Sequence, residues 1–428
     1  MSHTELDITI DGISKIEGHA DLEVRVRNGT VEDLKLKISE NKRFYTQAVR
    51  GKTFKETPQI VSRICGTCSV AHLNCSTMAI EKALGFEVSA QTDALRELTM
   101  HALMVRDHAM HLYLFCLPDV LGKDSVLDFD EKQHELVHQA FDVKAAGNAL
   151  STLVLGRAVH GVFGQVGGYT KAPSAAECRQ VAAQLKSVRP HVMELAQVFF
   201  DSHFKFERKT NYVALSGENM NYLHGPVCSS EGHCIPEEHF RNYLERVILP
   251  YSQALGYTFR GGDYMVGSLA RMNVNRAALH AQTRADCPQF LSRFPSTNIY
   301  DNNLAQALEI IHSIDTAVGI LEGADFKPEP VPEIQPPKQE AVGVDCLEAP
   351  RGTLYYRVAI QPDGKISRAD IITPSSQNQV NMAEDLKALI PQHLDRSKEE
   401  IAFEMEKLIR AYDPCFSCAS HFLKVKWL

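Results

Sequence analysis

What this chain of 428 residues lacks removes several classes of function. There is no basic excess. Its 45 Lys and Arg face 53 Asp and Glu, a formal net charge of −8, so no field attracts nucleic acid. The opening Met1-Ser2-His3-Thr4-Glu5-Leu6-Asp7 has neither the basic nor the apolar region of a signal peptide. No apolar run approaches the roughly 18 residues that span a bilayer. The 11 cysteines are odd in number and scattered, which gives no disulfide framework and points to a reduced, cytoplasmic compartment. No repeat occurs at solenoid periods. The stretch Gly156-Arg157-Ala158-Val159-His160-Gly161 with Gly167-Gly168-Tyr169 is rich in glycine but lacks the spacing of a phosphate-binding loop. What remains is 44% hydrophobic and 23% charged, an ordinary globular composition with ample length for a large core.

Two stretches carry the chemistry. Arg63-Ile64-Cys65-Gly66-Thr67-Cys68-Ser69-Val70-Ala71-His72 lies near one end, and Asp413-Pro414-Cys415-Phe416-Ser417-Cys418-Ala419-Ser420-His421 near the other. A CxxC pair turns both sulfurs to one side, and two such pairs supply the four thiolates of a soft-metal site. Local zinc modules place their pairs roughly 15–20 residues apart. Here almost the whole protein intervenes, so a metal site closed by the global fold ranks first, isolated redox pairs second and structural zinc third.

Between them the pattern is α+β and mainly α-helical. Strands are expected at Leu6 to Ile10, Leu22 to Val26 and Val31 to Ile38, with an Asn28-Gly29 hairpin turn. Ile16-Glu17-Gly18-His19 falls in the loop between the first two. Helices are expected at 77–84, 91–117, 131–154, 174–204, 236–254 and 302–322. The second of these carries Arg106-Asp107-His108 and His111, with Asp107 and His111 on one face. A proline-rich connector at 327–340 precedes Glu348-Ala349-Pro350-Arg351-Gly352. Two strands (Leu354 to Ile360, Ile366 to Ile372), a polar loop at Thr373 to Asn378 and two helices complete the chain. The expected organisation is one domain over 1–428: an N-terminal β-region 5–40, a helical core 53–325, the connector and a C-terminal β/helical region 350–428.

Taken together, Ile16-Glu17-Gly18-His19, Arg63-x-Cys65-Gly66-x-Cys68-x-x-x-His72, Asp107-His108-x-x-His111, Pro350-Arg351-Gly352 and Asp413-Pro414-Cys415-x-x-Cys418-x-x-His421 resemble the large, catalytic subunit of a [NiFe] hydrogenase. The motifs run in family order over residues 16 to 421, and the chain resembles the cytoplasmic, cofactor-coupled group. The resemblance implies that family's fold, with small β-sheets at both ends of a helical core, and reversible cleavage of H2 to protons and electrons. It implies nickel on Cys65, Cys68, Cys415 and Cys418. Cys68 and Cys418 would bridge to an iron bearing carbon monoxide and cyanide. Cys415 would be the first proton acceptor and Glu17 the relay. Arg351 would sit over the open metal position, oriented by Asp107 and Asp413. Pro350 and Ser375 or Ser376 would line the pocket for the diatomic ligands, with His72 and His421 as supporting or accessory-metal groups.

Three departures stand out. Arg43-Phe44-Tyr45-Thr46 puts Thr46 where relatives have a glutamate that helps hold a magnesium-type ion near His421, so that accessory site is incomplete. Gln377 stands where tryptophan is frequent. Only Phe422 to Leu428 follow His421, a shorter tail than many relatives remove after nickel insertion, and no cleavage is expected. The remaining cysteines (Cys75, Cys116, Cys178, Cys228, Cys234, Cys287, Cys346) lack iron–sulfur spacing and read as buried structural thiols. Electrons must therefore leave through a small subunit that carries an iron–sulfur cluster. Two other readings compete: a non-catalytic relative such as the complex I homologue, which has lost the metal cysteines, and a zinc-stabilised scaffold.

Overall fold

The computed structural model describes residues 5–40 and 44–420. At the N-terminal end, Leu6–Ile10, Ala20–Arg27 and Thr30–Ile38 form an antiparallel sheet in sequence order. Asn28 and Gly29 both take positive φ, the geometry that a tight hairpin needs. Alternation buries Leu6, Ile8, Leu22, Val24 and Val26.

The body is helical. Helix Ala90–Met110 packs on His134–Leu155 and Asp301–Gly323, and Ala175–Phe200 closes the group against the last two. Ser89 and Ser174 cap two of these helices, Ser174 in a reciprocal box with Glu177. The expected 91–117 helix is interrupted: after Met110 the backbone widens into one π-type turn, His111–Cys116. Such turns often mark functional sites. Among the described residues one helix, Asp301–Gly323, is long and apolar enough to cross a bilayer by length and composition, which corrects the expectation that no such run exists. Most of that stretch is buried against other helices, as in the central helix of a soluble core.

At the C-terminal end, Ala341–Ala349, Gly352–Ile360 and Ile366–Ile372 form a second antiparallel sheet, packed on helix Ser69–Leu84. Three expectations are corrected. Residues 236–254 are not a helix but a 3₁₀ segment, Glu237–Asn242, and a strand, Leu244–Val247, paired with Gly256–Phe259. They belong with a four-stranded sheet from 211–265, whose aromatic cluster includes Phe240, Tyr243, Tyr257, Phe259 and Tyr264. The polar loop at Thr373 to Asn378 is the start of a buried helix, Pro374–Leu389. Its side chains find backbone partners there: Gln377 donates to the Thr353 carbonyl at 2.6 Å, and Asn378 bonds both the amide and carbonyl of Val266. Finally, Cys228 and Cys234 are not free thiols; they form a disulfide across a short hairpin.

The sheet meets the Ser69–Leu84 helix with no room to spare. A Cβ on Gly343 would lie 1.9 Å from the Ala79 carbonyl oxygen and 2.5 Å from the Ala83 amide. Gly343→Ala should therefore destabilise the fold by at least roughly 1–3 kcal/mol, the cost of overpacking. A fall in the thermal midpoint measures this, and an unchanged midpoint would contradict the packing.

Candidate metal centre

The fold brings the two cysteine pairs together. The Sγ atoms of Cys65, Cys68, Cys415 and Cys418 all lie within 4.8 Å of one another, and all four residues are buried. Cys65 and Cys415 are 3.6 Å apart, Cys68 and Cys418 3.3 Å, and Cys415 and Cys418 2.8 Å. Cys68 sits at the start of helix Ser69–Leu84, and Cys415 precedes the single turn Phe416–Ala419.

Three local features hold the C-terminal pair in place. Glu17 and Cys415 form a parallel bridge, with the Phe416 amide donating to the Glu17 carbonyl at 2.8 Å. Gly18 makes that approach possible, because a Cβ there would fall 2.6 Å from the Ser417 amide. Asp413 takes a left-handed conformation, φ +52°, which turns the chain off the Lys398–Ala411 helix toward the pocket. Asp is among the few non-glycine residues that tolerate it.

The donor set fits a soft metal. Burial, then the neighbouring sulfurs, pushes the Cys415 thiol well above its ordinary range, and burial does the same for Cys418. Hydrogen bonds from Cys415 and Cys418 hold Cys65 well below it. The set therefore shares protons when it holds no cation, and all four sulfurs become thiolates only when a cation is bound.

Above the sulfurs, a cavity is lined by His72, Pro350, Arg351, Leu354, Pro374 and Ser375 together with Cys68, Cys415 and Cys418. Arg351 Nη1 donates to Asp107 at 2.8 Å, and its Nη2 lies 3.0 Å from Asp413. Burial opposes this cation, but the two carboxylates outweigh it, so the guanidinium holds its proton more tightly than in water. Its Nε has no hydrogen-bond partner among the described residues, and Nη2 meets Asp413 as an ion pair rather than a hydrogen bond.

Cys415 Sγ lies 2.7 Å from Glu17 Oε2. Burial, reinforced by the Cys65 sulfur, raises the Glu17 carboxyl. Ser375 Oγ accepts the Cys415 amide at 2.8 Å. Ser376 is not at the cavity; its Oγ lies 3.0 Å from Thr373 Oγ1. His72 is neutral, lowered to about 4 by burial, and its Nδ1 is 2.7 Å from Tyr356 Oη. His421 lies outside the described residues. Thr46 is in the short helix Tyr45–Val49, where Tyr45 Oη donates to the Ser417 carbonyl at 2.8 Å.

Sequence reasoning singled out His111 but missed Gln306 and Arg271, which hold these side chains with it. Gln306 Nε2 donates to Asp413 at 2.8 Å, and its Oε1 lies 2.6 Å from His111 Nδ1. His111 Nε2 lies 2.8 Å from the Arg410 carbonyl, so both ring nitrogens face acceptors. Burial works against the imidazolium, but Asp413 outweighs it and lifts His111 to about 10. Arg271 donates to the Ala349 carbonyl at 3.0 Å and the Pro350 carbonyl at 2.9 Å, the two residues before Arg351. Its remaining donors meet Glu348 at 2.7 Å and Glu309 at 2.8 Å. The one available signal was Glu309, a carboxylate set directly before the apolar pair Ile310-Ile311.

Comparison with known proteins identifies the family and the fold. The nickel-dependent hydrogenase family profile matches residues 43–198 and 249–421. The sulfhydrogenase 1 alpha subunit of Pyrococcus furiosus is 31% identical, the match covering 99% of this chain and 100% of that protein. The beta subunit of the NAD-reducing hydrogenase HoxS of Cupriavidus necator is 26% identical, over 97% and 95%. Among solved structures, an NAD+-reducing [NiFe]-hydrogenase in its H2-reduced state superposes with a TM-score of 0.83 at 22% identity, covering 97% of this chain and 99% of that one. The Ni-Fe-Se hydrogenase of D. vulgaris Hildenborough gives 0.78 at 23% identity, covering 97% and 100%. By sequence and by fold, the chain belongs to the nickel-dependent hydrogenase family, as a large, catalytic subunit of these oxidoreductases acting on H2.

Proposed function

We propose that Cys65, Cys68, Cys415 and Cys418 hold nickel, and that Cys68 and Cys418 are shared with an iron carrying carbon monoxide and cyanide. The observation that carries this reading is the buried set of four sulfurs, open on one side to a cavity beneath Arg351. When bound, the metal pair supplies the Lewis acidity and the electron reservoir that make H2 cleavable.

The chain's own residues handle protons and charge. Cys415 Sγ takes the first proton, and Glu17 Oε2, 2.7 Å away, takes it onward. Arg351 keeps a permanent positive charge at the cavity and cannot donate its proton away. Asp107 and Asp413 fix its fork on two sides. Pro350, Leu354 and Pro374 give the cavity an apolar wall that excludes water, and Ser375 lies among them for the diatomic ligands. An accessory magnesium-type ion is not included, since Thr46 offers a hydroxyl in place of a carboxylate.

Electrons leave through a partner subunit with an iron–sulfur cluster. Among the described residues the four cysteines are the one group of His, Cys, Asp and Glu arranged to hold a metal, so no relay of this chain's own is at hand. Exposed Val159 and Val162 lie near the cysteine loop, where the His160 amide bonds Ser69 Oγ next to Cys68, and they suit such a partner. A site built from both ends makes residues 1–428 one domain. Nine free, buried cysteines suit a cytoplasmic protein.

Elemental analysis of protein matured in its native host should find about one nickel per chain and lose it on replacing Cys65, Cys68, Cys415 or Cys418 with Ser. Zinc in its place would sink the reading. Glu17→Gln should keep its nickel while H2 oxidation and isotope exchange fall by roughly 10²-fold or more, the usual share of a positioned proton carrier. Wild-type rates would remove Glu17 from the path. Arg351→Lys should retain nickel and lose roughly 10²–10³-fold in turnover, because an ammonium cannot reach both carboxylates at once. Full turnover would show that the fork is dispensable.

A further inference from the structure

One buried charge near the sulfurs is unused in the reading above. Arg106 leaves the Ala90–Met110 helix one residue before Asp107 and is only 5% exposed. Its Nη2 donates to the Thr67 carbonyl at 2.6 Å. Thr67 stands between the two cysteines of the first pair, with its hydroxyl 3.0 Å from Cys65 Sγ. Arg106 Nε has no partner among the described residues, and no carboxylate there forms an ion pair with it. Burial is the largest influence on Arg106 and lowers its hold on the proton, opposed by Asp107 and then by the Cys68 and Cys65 sulfurs. Asp107 is already committed to Arg351.

A guanidinium cannot shed its charge, and an unpaired buried cation is strongly disfavoured. Arg106 therefore sits where nearby negative charge beyond the shared Asp107 would stabilise it. Thiolates at Cys65 and Cys68 are that charge once a metal has displaced their protons. We propose that Arg106 is a positioning residue of the metal centre: its fixed charge offsets the Cys65 and Cys68 thiolates, and its bond to Thr67 holds the loop that carries them. A permanent cation at this range favours the more electron-rich state of whatever the thiolates hold, so it raises the reduction potential of the centre. This rests on the nickel assignment above.

The test compares the holoenzyme with R106K, R106Q and R106M, measuring nickel content and then the midpoint potential of the nickel signal by redox titration. Nickel content of the unmodified protein reports on the assignment alone. The potential reports on Arg106. R106Q and R106M should lower the potential by about a tenfold change in the redox equilibrium, about 59 mV for one electron. R106K, which keeps the charge, should stay close to the parent. Loss of nickel in both neutral variants but not in R106K would also support the role of the charge. Neutral variants that load nickel at the parent potential would overturn it. So would loss of nickel from all three, which would leave Arg106 a packing residue.

Discussion

Four sulfurs within 4.8 Å of one another cannot all be anions unless cations share the space. The rest of the structure answers to that constraint. The Arg351 guanidinium lies close by, yet its charge is already taken up by Asp107 and Asp413. Asp413 in turn lies 3.8 Å from His111, an imidazolium with both nitrogens facing acceptors. Two cations and two carboxylates balance among themselves. The layer above the sulfurs is therefore largely balanced within itself, and the thiolate charge is left for a metal, with Arg106 beside the first cysteine loop, to offset. This separates the two tasks of the site: the arginine layer shapes and dries the cavity, and the sulfurs bind.

The same constraint explains why the two ends of the chain meet. A pair of thiols from one segment would leave the cation half enclosed. Enclosure requires the Cys415–Cys418 turn to lie against the Cys65–Cys68 loop, and the Glu17 backbone bridge, with Ser375 Oγ and Tyr45 Oη on the turn's backbone, holds it there. Glu17 does two things at once. Its carbonyl anchors the turn through the Phe416 amide, and its carboxylate meets Cys415 Sγ. The proton acceptor is thereby placed by the strand-like bridge rather than by a flexible loop, and its distance to sulfur is set by the same hydrogen bond that sets the pocket.

Much of this was legible before any coordinates, for a physical reason. Ligands on a CxxC pair, and groups such as Pro350-Arg351 or Asp413-Pro414-Cys415, are tied to their neighbours by short chain segments, so their spacing survives in the sequence. The supporting groups are not so tied. Gln306 reaches His111 across 195 residues and Asp413 across 107, and Tyr356 reaches His72 across 284. Nothing local marks Gln306 or Tyr356, whereas His72, His111 and Asp413 stand within the sequence motifs. The secondary structure failed by a parallel route. Residues 236–254 have enough apolar positions for a helix, but Phe240, Tyr243 and Leu244 are used by an aromatic cluster formed with the distant Tyr355. Thr373 to Asn378 look like a loop because they are polar, but Pro374 onward is helix, with Ser375, Gln377 and Asn378 meeting buried backbone groups.

Arg271 makes the last point about specificity. Its two bonds to Glu309 and one to Glu348 form a buried ion cluster, and such clusters add little to stability, since desolvation consumes most of the Coulomb gain. An apolar side chain of equal volume would fill the same space. What it could not do is satisfy the carbonyls of Ala349 and Pro350, which accept from the same guanidinium. The five N–H donors of an arginine are rigidly splayed, so satisfying two carbonyls and two carboxylates together fixes the backbone that enters Arg351. The cluster is better understood as a template than as a source of stability. Arg351 can span Asp107 and Asp413 only if its Cα is held in place, and the fold holds it from behind with a second arginine.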